Sequence, residues 1–412
     1  MPGLLRRLLA LVSGTLAGNV IVLLATPILT RLYEPALFGE LALFVSFSGV
    51  LGAVLCLRYE QAVYLPSSDR NASLLTAGAG GIALALTVIS TGVAAGIVLL
   101  SGGGALGYWW LAVPLAGGAL ALFNLGSNWA VREHHVAVVA RSRISRALVQ
   151  VLVQLAAGTS GAMGGGLVLG DLAGRFAGLP ALIRLYSARL SGCRPSFKRV
   201  MSVLRRYHRF PLISAPGALV NVVVMQGAPV ILALFYSTTA AGLYFLVQRL
   251  MAAPLALVGQ SVAQVFTAEL GRRLGRNEGG YLGLYLKASG CLLLVGGIPI
   301  ALVGIYGGNL LPSLLGPEWS QAGDYLLALT PFFVGQFVMS PLANFLNVLG
   351  RQGTLLLWDS ARLVIALPGL ILPGMFGWSV VQALWVFSLL MAVFYVVLFV
   401  VLYVEIWRRS QI

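Results

Sequence analysis

The sequence predicts an all-α integral membrane protein with twelve transmembrane helices in two six-helix bundles, a MATE-like parallel pseudo-repeat. Three observations lead to this prediction. Long apolar runs recur along the chain, Lys and Arg lie in every second gap between those runs, and the two halves share a pattern of residues. Of the 412 residues, 59% are hydrophobic and only 9% are charged, a composition that water-soluble domains rarely have.

The apolar runs set the number of membrane crossings. Residues 8–30 carry no charge, and about 20 apolar residues in a helix cross the hydrocarbon layer of a bilayer. Residues 71–131 are also uncharged, but the glycines at 102–104 divide them, so we predict two helices and a turn there. The same criteria along the whole chain predict spans at 8–32, 37–57, 72–100, 107–130, 138–160, 164–187, 212–236, 240–267, 282–308, 322–348, 354–373 and 378–404.

The basic residues predict the orientation of these spans. Of the 27 Lys and Arg, 23 lie at the ends of spans or in gaps on one side of the membrane. Only Arg31 lies in a gap on the opposite side, while Arg175, Arg249 and Arg362 lie within spans. By the positive-inside rule both termini are cytoplasmic. The net charge of +15 does not indicate a nucleic acid partner, because no segment outside the spans is long enough to form a basic folded domain.

The densest basic segment lies between the two predicted bundles, from Ser196 to Arg209. Its apolar residues fall at helical spacing with basic residues between them: Phe197, Val200, Leu204 and Tyr207. This pattern predicts an amphipathic helix on the inner leaflet, where each basic residue gains about 1 kcal/mol from anionic lipids. The simpler interpretation is orientation charge with no specific lipid partner.

The two halves of the chain repeat a pattern around a proline. Asn19 and Pro27 in the first half correspond to Asn221 and Pro229 in the second half, at the same spacing. Each proline removes a backbone hydrogen bond inside the first helix of its half and bends that helix. Pro27 and Pro229 are therefore candidate hinges, and a static kink that only aids packing is the alternative.

The repeat also predicts the domain organisation. Each half holds six spans, and both halves enter the membrane from the same side. We predict an N-terminal bundle of residues 1–190, a basic linker of residues 191–211 and a C-terminal bundle of residues 212–412. This is the parallel-repeat architecture of transporters, in which the substrate passes between two rocking bundles.

Motifs of soluble enzymes are missing from the sequence. The only lysines, Lys198 and Lys287, do not follow the glycine spacing of a nucleotide-binding loop, so we predict no ATPase. The three cysteines are far apart and imply no disulfide framework. The three histidines fall in predicted loops, where we expect solvated residues. We predict a protein that is not an enzyme and that has no cofactor and no metal site.

Short motifs in a fixed order resemble a known family. In the first half they are Pro27-Ile28-Leu29-Thr30-Arg31-Leu32-Tyr33-Glu34-Pro35, Phe38-Gly39, Arg58-Tyr59-Glu60 and Leu65-Pro66. In the second half they are Phe210-Pro211, Gly242-Leu243-Tyr244, Gln248-Arg249, Ala263-Gln264-Val265-Phe266, Gly316-Pro317-Glu318-Trp319, Ser340-Pro341-Leu342 and Leu349-Gly350-Arg351. Together they resemble the Wzx-like polysaccharide flippases of the MATE-like exporter superfamily.

This resemblance implies a function. Proteins of that family move an undecaprenyl-pyrophosphate-linked oligosaccharide by alternating access from the cytoplasmic to the periplasmic leaflet of a bacterial inner membrane. The resemblance therefore implies a part in O-antigen or exopolysaccharide synthesis, as in lipopolysaccharide assembly. The implied partners are the lipid-linked oligosaccharide and other polysaccharide-assembly proteins.

An exporter of a pyrophosphate lipid needs fixed cations inside the membrane, because an anion crossing hydrocarbon alone is prohibitively costly. The candidates are Arg249, Arg175 and Arg362, with Arg31 near the outer boundary. Arg249 is the first choice for a phosphate contact, because no acid lies near it in sequence. The alternative is a structural role for Arg249, bonded to carbonyl groups or to a partner on another helix.

The other two intramembrane arginines have acids on their own helices. Asp171 lies one turn before Arg175, and Asp359 lies three residues before Arg362, so structural ion pairs are predicted. Asp171 and Asp359 are also candidates for binding a coupling proton or sodium ion.

Three other functions stay open. A drug exporter of the same superfamily would share the fold. Its cavity for cations should be rich in carboxylates, whereas we expect only Asp171 and Asp359 within the spans. A membrane polysaccharide polymerase would be expected to carry a sizeable outer loop, and the longest predicted outer gap is residues 309–321. A scaffold without transport is disfavoured by the buried charges and the repeat.

Overall fold

The computed structural model is helical and describes residues 2–101, 104–161, 164–190, 196–254, 259–276, 278–343, 345–346 and 351–410. No strand occurs within these ranges. Eight helices in them are long and apolar enough to cross a membrane, and two shorter apolar helices cover Leu16–Leu32 and Ser360–Met375. The protein is therefore a multi-pass membrane protein.

The first half of the chain forms nine helices. They are α1 (Pro2–Leu32), α2 (Pro35–Val54), α3 (Tyr59–Ala62), α4 (Asp69–Ser101), α5 (Ala112–Arg132), α6 (Val136–Thr159), α7 (Gly166–Ala177), α8 (Leu179–Leu190) and α9 (Phe197–Arg206). A 3₁₀ segment at Gly104–Leu111 leads into α5.

The second half continues with nine more described helices. They are α10 (Ala215–Phe235), α11 (Thr238–Pro254), α12 (Gln260–Arg276), α13 (Tyr281–Leu292), α14 (Ile298–Tyr306), α15 (Leu311–Leu315), α16 (Ala322–Leu342), α17 (Gln352–Met375) and α18 (Val380–Ser410). A π-helical segment at Leu293–Gly297 joins α13 to α14. Each of the twelve predicted spans coincides with one of these helices or with two in succession.

One predicted span differs from the others in its polarity. The span at 138–160 forms α6, which carries three arginines and is not among the eight long apolar helices. The charge pattern of the sequence predicts that Arg141, Arg143 and Arg146 lie at the cytoplasmic end of this span. Arg146 lies ten residues after the start of the helix at Val136, and the position of these arginines relative to the membrane stays a prediction.

The chain divides into two compact units, Met1–Val230 and Ile231–Ile412. The boundary falls inside α10, directly after Val230. The linker helix α9 and most of α10 therefore pack with the first unit. The division into two repeats of six spans stays a prediction, and residues 191–195 of the predicted linker lie outside the described residues.

The linker helix α9 packs part of its apolar face against α4. Val200 and Leu204 lie over Gly78 of α4, where an added Cβ would come within about 3 Å of both side chains. Leu204 is buried, and its carbonyl oxygen accepts a hydrogen bond of 3.1 Å from the Tyr59 hydroxyl. Only Phe197 of the predicted lipid-facing residues is strongly exposed. Part of the apolar face covers the first unit, and the contact of α9 with the inner leaflet stays a prediction.

Glycines on α7 bring this helix very close to α6. They recur at every fourth position: Gly166, Gly170, Gly174 and Gly178. A Cβ added to Gly174 would lie 2.7 Å from the carbonyl oxygen of Arg146 and 2.8 Å from Cβ of Gln150. Small residues at this spacing allow two helix backbones to approach directly. Because α7 has no side chains along this ridge, it packs against the backbone of α6.

Candidate substrate-binding site

Four polar residues of α6 lie on one face of the helix. Arg143, Arg146, Gln150 and Gln154 are separated by three, four and four positions, which is helical spacing. Arg146 lies about 15 Å from the start of α6 at 1.5 Å per residue. A helix that entered the roughly 30 Å hydrocarbon layer at its first residue would hold this charge near the middle of the membrane.

The Gln154 end of this polar face is structural. Gln154 is fully buried, and its side-chain nitrogen donates a hydrogen bond of 2.9 Å to the carbonyl oxygen of Leu167 on α7. The hydroxyl of Tyr33, just after α1, donates a bond of 2.6 Å to the backbone oxygen of Gln154. These hydrogen bonds connect α6 to α7 and to the residue that follows α1.

The predicted ion pair on α7 is confirmed. The Nε atom of Arg175 donates to Oδ2 of Asp171 at 2.6 Å, and the two side chains are 2% and 5% exposed. Arg175 also donates a bond of 3.2 Å to the carbonyl oxygen of Ala116 on α5. Its guanidinium carbon lies 5.9 Å from the ring centroid of Phe44 on α2, a cation–π distance. Arg175 is thus engaged by three helices.

Arg146 completes a cluster with an excess of positive charge. It interacts electrostatically with the acid Asp171 and with two other cations, Arg175 and Arg143. Arg175 already bonds the Asp171 carboxylate, and Arg146 itself is only half-buried. The charge pattern of the sequence does not single out Arg146, because this residue lies in the first half of a span. The regular spacing of the four polar residues is the signal that reveals it.

Two further acids lie within the predicted spans. Glu40 is in α2, near the end expected to face outward, and is half-buried. Asp324 is exposed in the first turn of α16. The predicted count of two acids, Asp171 and Asp359, is therefore wrong, since Glu40 falls inside the span predicted at 37–57 and Asp324 inside the span predicted at 322–348.

The remaining candidate cations lie apart from this cluster in the sequence and in the helix order. Arg31 is exposed in the last turn of α1, where a cation interacts favourably with the helix dipole. In the second unit Arg249 is half-buried in α11 and Arg362 is buried in α17, and each has an interaction partner. The Asp359 side chain lies outside the described residues, so its pair with Arg362 stays a prediction.

Both candidate hinge prolines lie inside helices, as their positions in the predicted spans require. Pro27 lies within α1, and Pro229 lies within α10 one residue before the last residue of the first compact unit. Their role in movement stays a prediction. Among the described residues, no group of three or more His, Cys, Asp or Glu side chains is placed to hold a metal ion.

Comparison with known proteins identifies the family. The model of a family described as "Polysaccharide biosynthesis protein" matches residues 107–323, which is more than half of the chain. No curated protein matches the chain.

Solved structures share the fold. A multidrug resistance MATE family transporter of the MOP superfamily, in an inward-facing conformation, aligns with a TM-score of 0.72 at 14% identity, over 95% of this chain and 94% of that chain. The lipid II flippase MurJ, in an inward closed conformation, aligns with a TM-score of 0.71 at 12% identity, over 99% of this chain and 91% of that chain. A MOP superfamily transporter from Pyrococcus furiosus Vc1 aligns with a TM-score of 0.57 at 14% identity, over 98% and 95%.

These identities are too low to show more than the fold, which is all-α and MATE-like as predicted. The family match adds the functional class and agrees with the Wzx-like resemblance of the sequence. The chain belongs to the polysaccharide biosynthesis protein family.

Proposed function

We propose that the protein is a flippase that moves undecaprenyl-pyrophosphate-linked oligosaccharides from the cytoplasmic to the periplasmic leaflet of a bacterial inner membrane. The observation that carries this proposal is the excess of positive charge on α6 and α7. Arg146 interacts electrostatically with Arg143, Arg175 and Asp171, and Arg175 is paired with Asp171 at 2.6 Å. A site built in this way favours an anionic substrate.

The ion pair on α7 gives Arg146 its role. The Asp171 carboxylate is held by Arg175 at 2.6 Å, so little of its charge is available to neutralise Arg146. A planar guanidinium can bond two phosphate oxygens at once, which suits a pyrophosphate. Arg146 is the proposed phosphate contact in the first unit, and Arg175 is a positioning residue that keeps Asp171 occupied.

The other cations have proposed parts in the same passage. Arg249 supplies a phosphate contact from the second unit, and Arg362 supports it. Arg31, exposed at the end of α1, meets the anion on the release side. Asp171 and Asp359 are the proposed coupling-ion residues. Asp171 can take up a proton or a sodium ion only by loosening its bond to Arg175, so coupling there would change the charge around Arg146.

The proposed orientation places both termini in the cytoplasm and α9 at the inner leaflet. The basic side chains of α9 are exposed, including Lys198, Arg199, Arg205 and Arg206. Since Val200 and Leu204 are occupied by packing on α4, the proposed attraction to anionic lipids is electrostatic. Other polysaccharide-assembly proteins are the further proposed partners.

A drug exporter of the same superfamily is the second candidate function. Glu40, half-buried in α2, is the observation that favours it, because cation transport requires carboxylates in the membrane. The interacting arginines Arg143, Arg146 and Arg175 argue against it, since they repel a cationic drug.

The test compares Arg146→Ala with Arg141→Ala. Arg141 lies on the opposite side of α6 and is exposed, so it controls for loss of an arginine from this helix. Each variant is expressed at matched membrane level in a deletion strain of the host. We expect Arg146→Ala to abolish surface polysaccharide and to accumulate lipid-linked repeat units on the inner leaflet, with Arg141→Ala close to wild type. Wild-type output from Arg146→Ala, or ethidium efflux without any change in the lipid-linked units, would overturn the proposal.

A further inference from the structure

The motif Arg58-Tyr59-Glu60 has no part in the proposed passage of the anion. It follows the end of α2 through a turn in which Leu57 and Arg58 adopt φ angles of 49° and 61°. Such left-handed backbone is unfavourable for residues with a side chain, and it persists only where the surroundings hold it. The turn directs the next side chain, Tyr59, into the first unit, where it is 5% exposed.

Hydrogen bonds from α5 hold the turn in this shape. Asn128 on α5 donates a bond of 2.9 Å from its side-chain nitrogen to the backbone oxygen of Glu60. Arg132, one turn later on the same helix, donates a bond of 3.0 Å to the backbone oxygen of Val63. Because the backbone on the far side of Tyr59 is bonded to a long helix, the Tyr59 side chain has a fixed direction.

Tyr59 reaches the linker helix α9. Its hydroxyl donates a bond of 3.1 Å to the carbonyl oxygen of Leu204, in the last turn of α9. Leu204 and Val200, one turn apart, both lie over Gly78 of α4, where an added Cβ would be 2.8 Å from Val200 and 3.0 Å from Leu204. The absent side chain of Gly78 leaves a notch that these two residues fill. The helix α9 is therefore held by a hydroxyl from the turn and by the notch in α4.

The chain on either side of α9 is fixed to the same unit. Before α9, the hydroxyl of Tyr186 on α8 donates a bond of 2.9 Å to the backbone oxygen of Ser73 on α4. The Tyr186 ring also meets Trp129 edge-on, with 5.4 Å between the ring centroids. After α9, the π-helical segment Phe210–Ser214 lies against α3, and Phe210 packs on the buried apolar cluster to which Leu204 belongs. The linker helix is thus not a slack connection between the two halves of the chain.

We propose that the turn Arg58-Tyr59-Glu60 is the anchor of the linker helix and that α9 stays docked on the first unit while substrate is moved. The part that concerns movement rests on the proposed function. Undocking would break the Tyr59 bond and uncover both Leu204 and the notch at Gly78. Tyr59 is a positioning residue, and the flexible joint toward the second half of the chain lies after α9. The exposed basic face of α9 then keeps a fixed position on the first unit.

The first test measures how often α9 leaves its docked position. Leu204→Cys puts a thiol at the buried contact, where a water-soluble maleimide reacts only after undocking. In this background Tyr59→Phe removes the hydroxyl and keeps the ring. Tyr64→Phe is the matched control, because its hydroxyl lies in the following loop and contacts Asn128 at 3.2 Å, not α9. The proteins are labelled in nanodiscs, and the peptide that contains position 204 is quantified by mass spectrometry.

We expect Tyr59→Phe to raise the labelling rate about fivefold, the effect of one hydrogen bond on an equilibrium, and Tyr64→Phe to leave it unchanged. Equal rates in both variants would overturn Tyr59 as the anchor. Gly78→Leu fills the notch without touching the motif and should also raise the rate. Gly81→Leu on the same helix should not, because an added Cβ there meets no atom within 4 Å. If Tyr59→Phe aggregates, the glycine pair decides, and equal rates in that pair would overturn the docking.

The second test asks whether α9 must leave the first unit during transport. Gly78→Cys with Val200→Cys places two thiols at the contact, so oxidation ties α9 to α4. Flipping of lipid-linked repeat units extracted from the deletion strain is measured in proteoliposomes before oxidation, after it and after reduction, with each single variant oxidised in parallel. We expect the oxidised double variant to flip as fast as the reduced one.

A loss of flipping on oxidation that reduction restores, and that neither single variant shows, would overturn the proposal. A reduced protein that does not flip these lipids at all would contradict the proposed function. The labelling of position 204 requires no transport, so it would still decide whether the turn anchors α9.

Discussion

Asp171 and Arg175 lie one turn apart on α7 and form an ion pair of 2.6 Å in which neither side chain is more than 5% exposed. The pair is held further by the Ala116 carbonyl oxygen and the Phe44 ring. Through Arg175, Asp171 is connected to three helices. Because Arg175 occupies the Asp171 carboxylate, that carboxylate neutralises little of the charge of Arg146.

The buried pair predicts a pattern among three variants. Asp171→Asn leaves a buried arginine without its counter-charge, so we expect a loss of about 3–5 kcal/mol of folding free energy. Arg175→Gln should cost a similar amount, whereas the double variant removes both charges and should recover most of the loss. Apparent melting temperatures of the detergent-solubilised proteins measure this. If the double variant is destabilised by the sum of the two single losses, the two residues act independently.

The glycine ridge of α7 predicts a steric effect. Gly174→Leu forces a side chain against the Arg146 carbonyl oxygen and Gln150, so we expect a loss of at least about 1–3 kcal/mol and lower membrane expression. Gly92→Leu on α4 is the control, because a Cβ there meets no atom within 4 Å. Thermal melting and expression should be near wild type for the control. A stable Gly174→Leu protein would mean that α6 and α7 can separate without cost.

The two candidate hinges predict a loss of transport without a loss of folding. Pro27→Ala with Pro229→Ala restores a backbone donor in each helix and should straighten it. We expect reduced flipping by a protein that is still inserted and monodisperse. Pro216→Ala is the control, since Pro216 lies in the first turn of α10. Full activity of the double variant at matched expression would leave both prolines as packing features.

Substitutions of Arg249 test the phosphate contact proposed in the second unit. Arg249→Lys keeps the charge but loses the planar fork, so partial function is expected, while Arg249→Ala and Arg249→Glu should abolish it. The same series at Arg362 should be milder if Asp359 neutralises that arginine. Asp359→Asn with Arg362→Gln should then be tolerated better than either change alone. Surface polysaccharide in a flippase-deficient strain is the measurement, and normal output from Arg249→Ala would remove this residue from the mechanism.

A buried acid outside the membrane spans predicts a dependence of stability on pH. Glu60 on α3 is 5% exposed, and burial raises the pKa of its carboxyl above the ordinary value of 4.5, against the weaker lowering effects of a backbone hydrogen bond and of Arg58. The folded protein thus binds this proton more tightly than the unfolded chain. The stabilisation is complete below the unfolded pKa and is lost as pH rises through the folded pKa.

Glu60→Gln keeps the shape of the side chain and removes this titration. At pH 7 we expect the variant to melt at a higher temperature than wild type, and the difference should shrink as the pH is lowered toward the ordinary pKa of 4.5. Melting curves between these pH values provide the measurement. A variant that is less stable than wild type at pH 7 would show that the ionised carboxylate is needed for folding.

The sequence by itself determined the membrane spans and the ion pair on α7. A bilayer requires about 20 apolar residues for each crossing whatever the neighbouring helices are, and each predicted span is indeed helical. The contact between Asp171 and Arg175 is local, because residues four apart on a helix lie on the same face. The ion pair follows from the periodicity of one helix, and the spans follow from the thickness of the bilayer.

Only the tertiary structure decided which of these groups meet. Arg146 comes near Asp171 because the bare glycine ridge of α7 lets it lie against α6. Leu204 is buried because it packs over Gly78 of α4. Contacts between helices depend on the shapes of two surfaces at once, and a hydropathy or charge pattern describes only one of them.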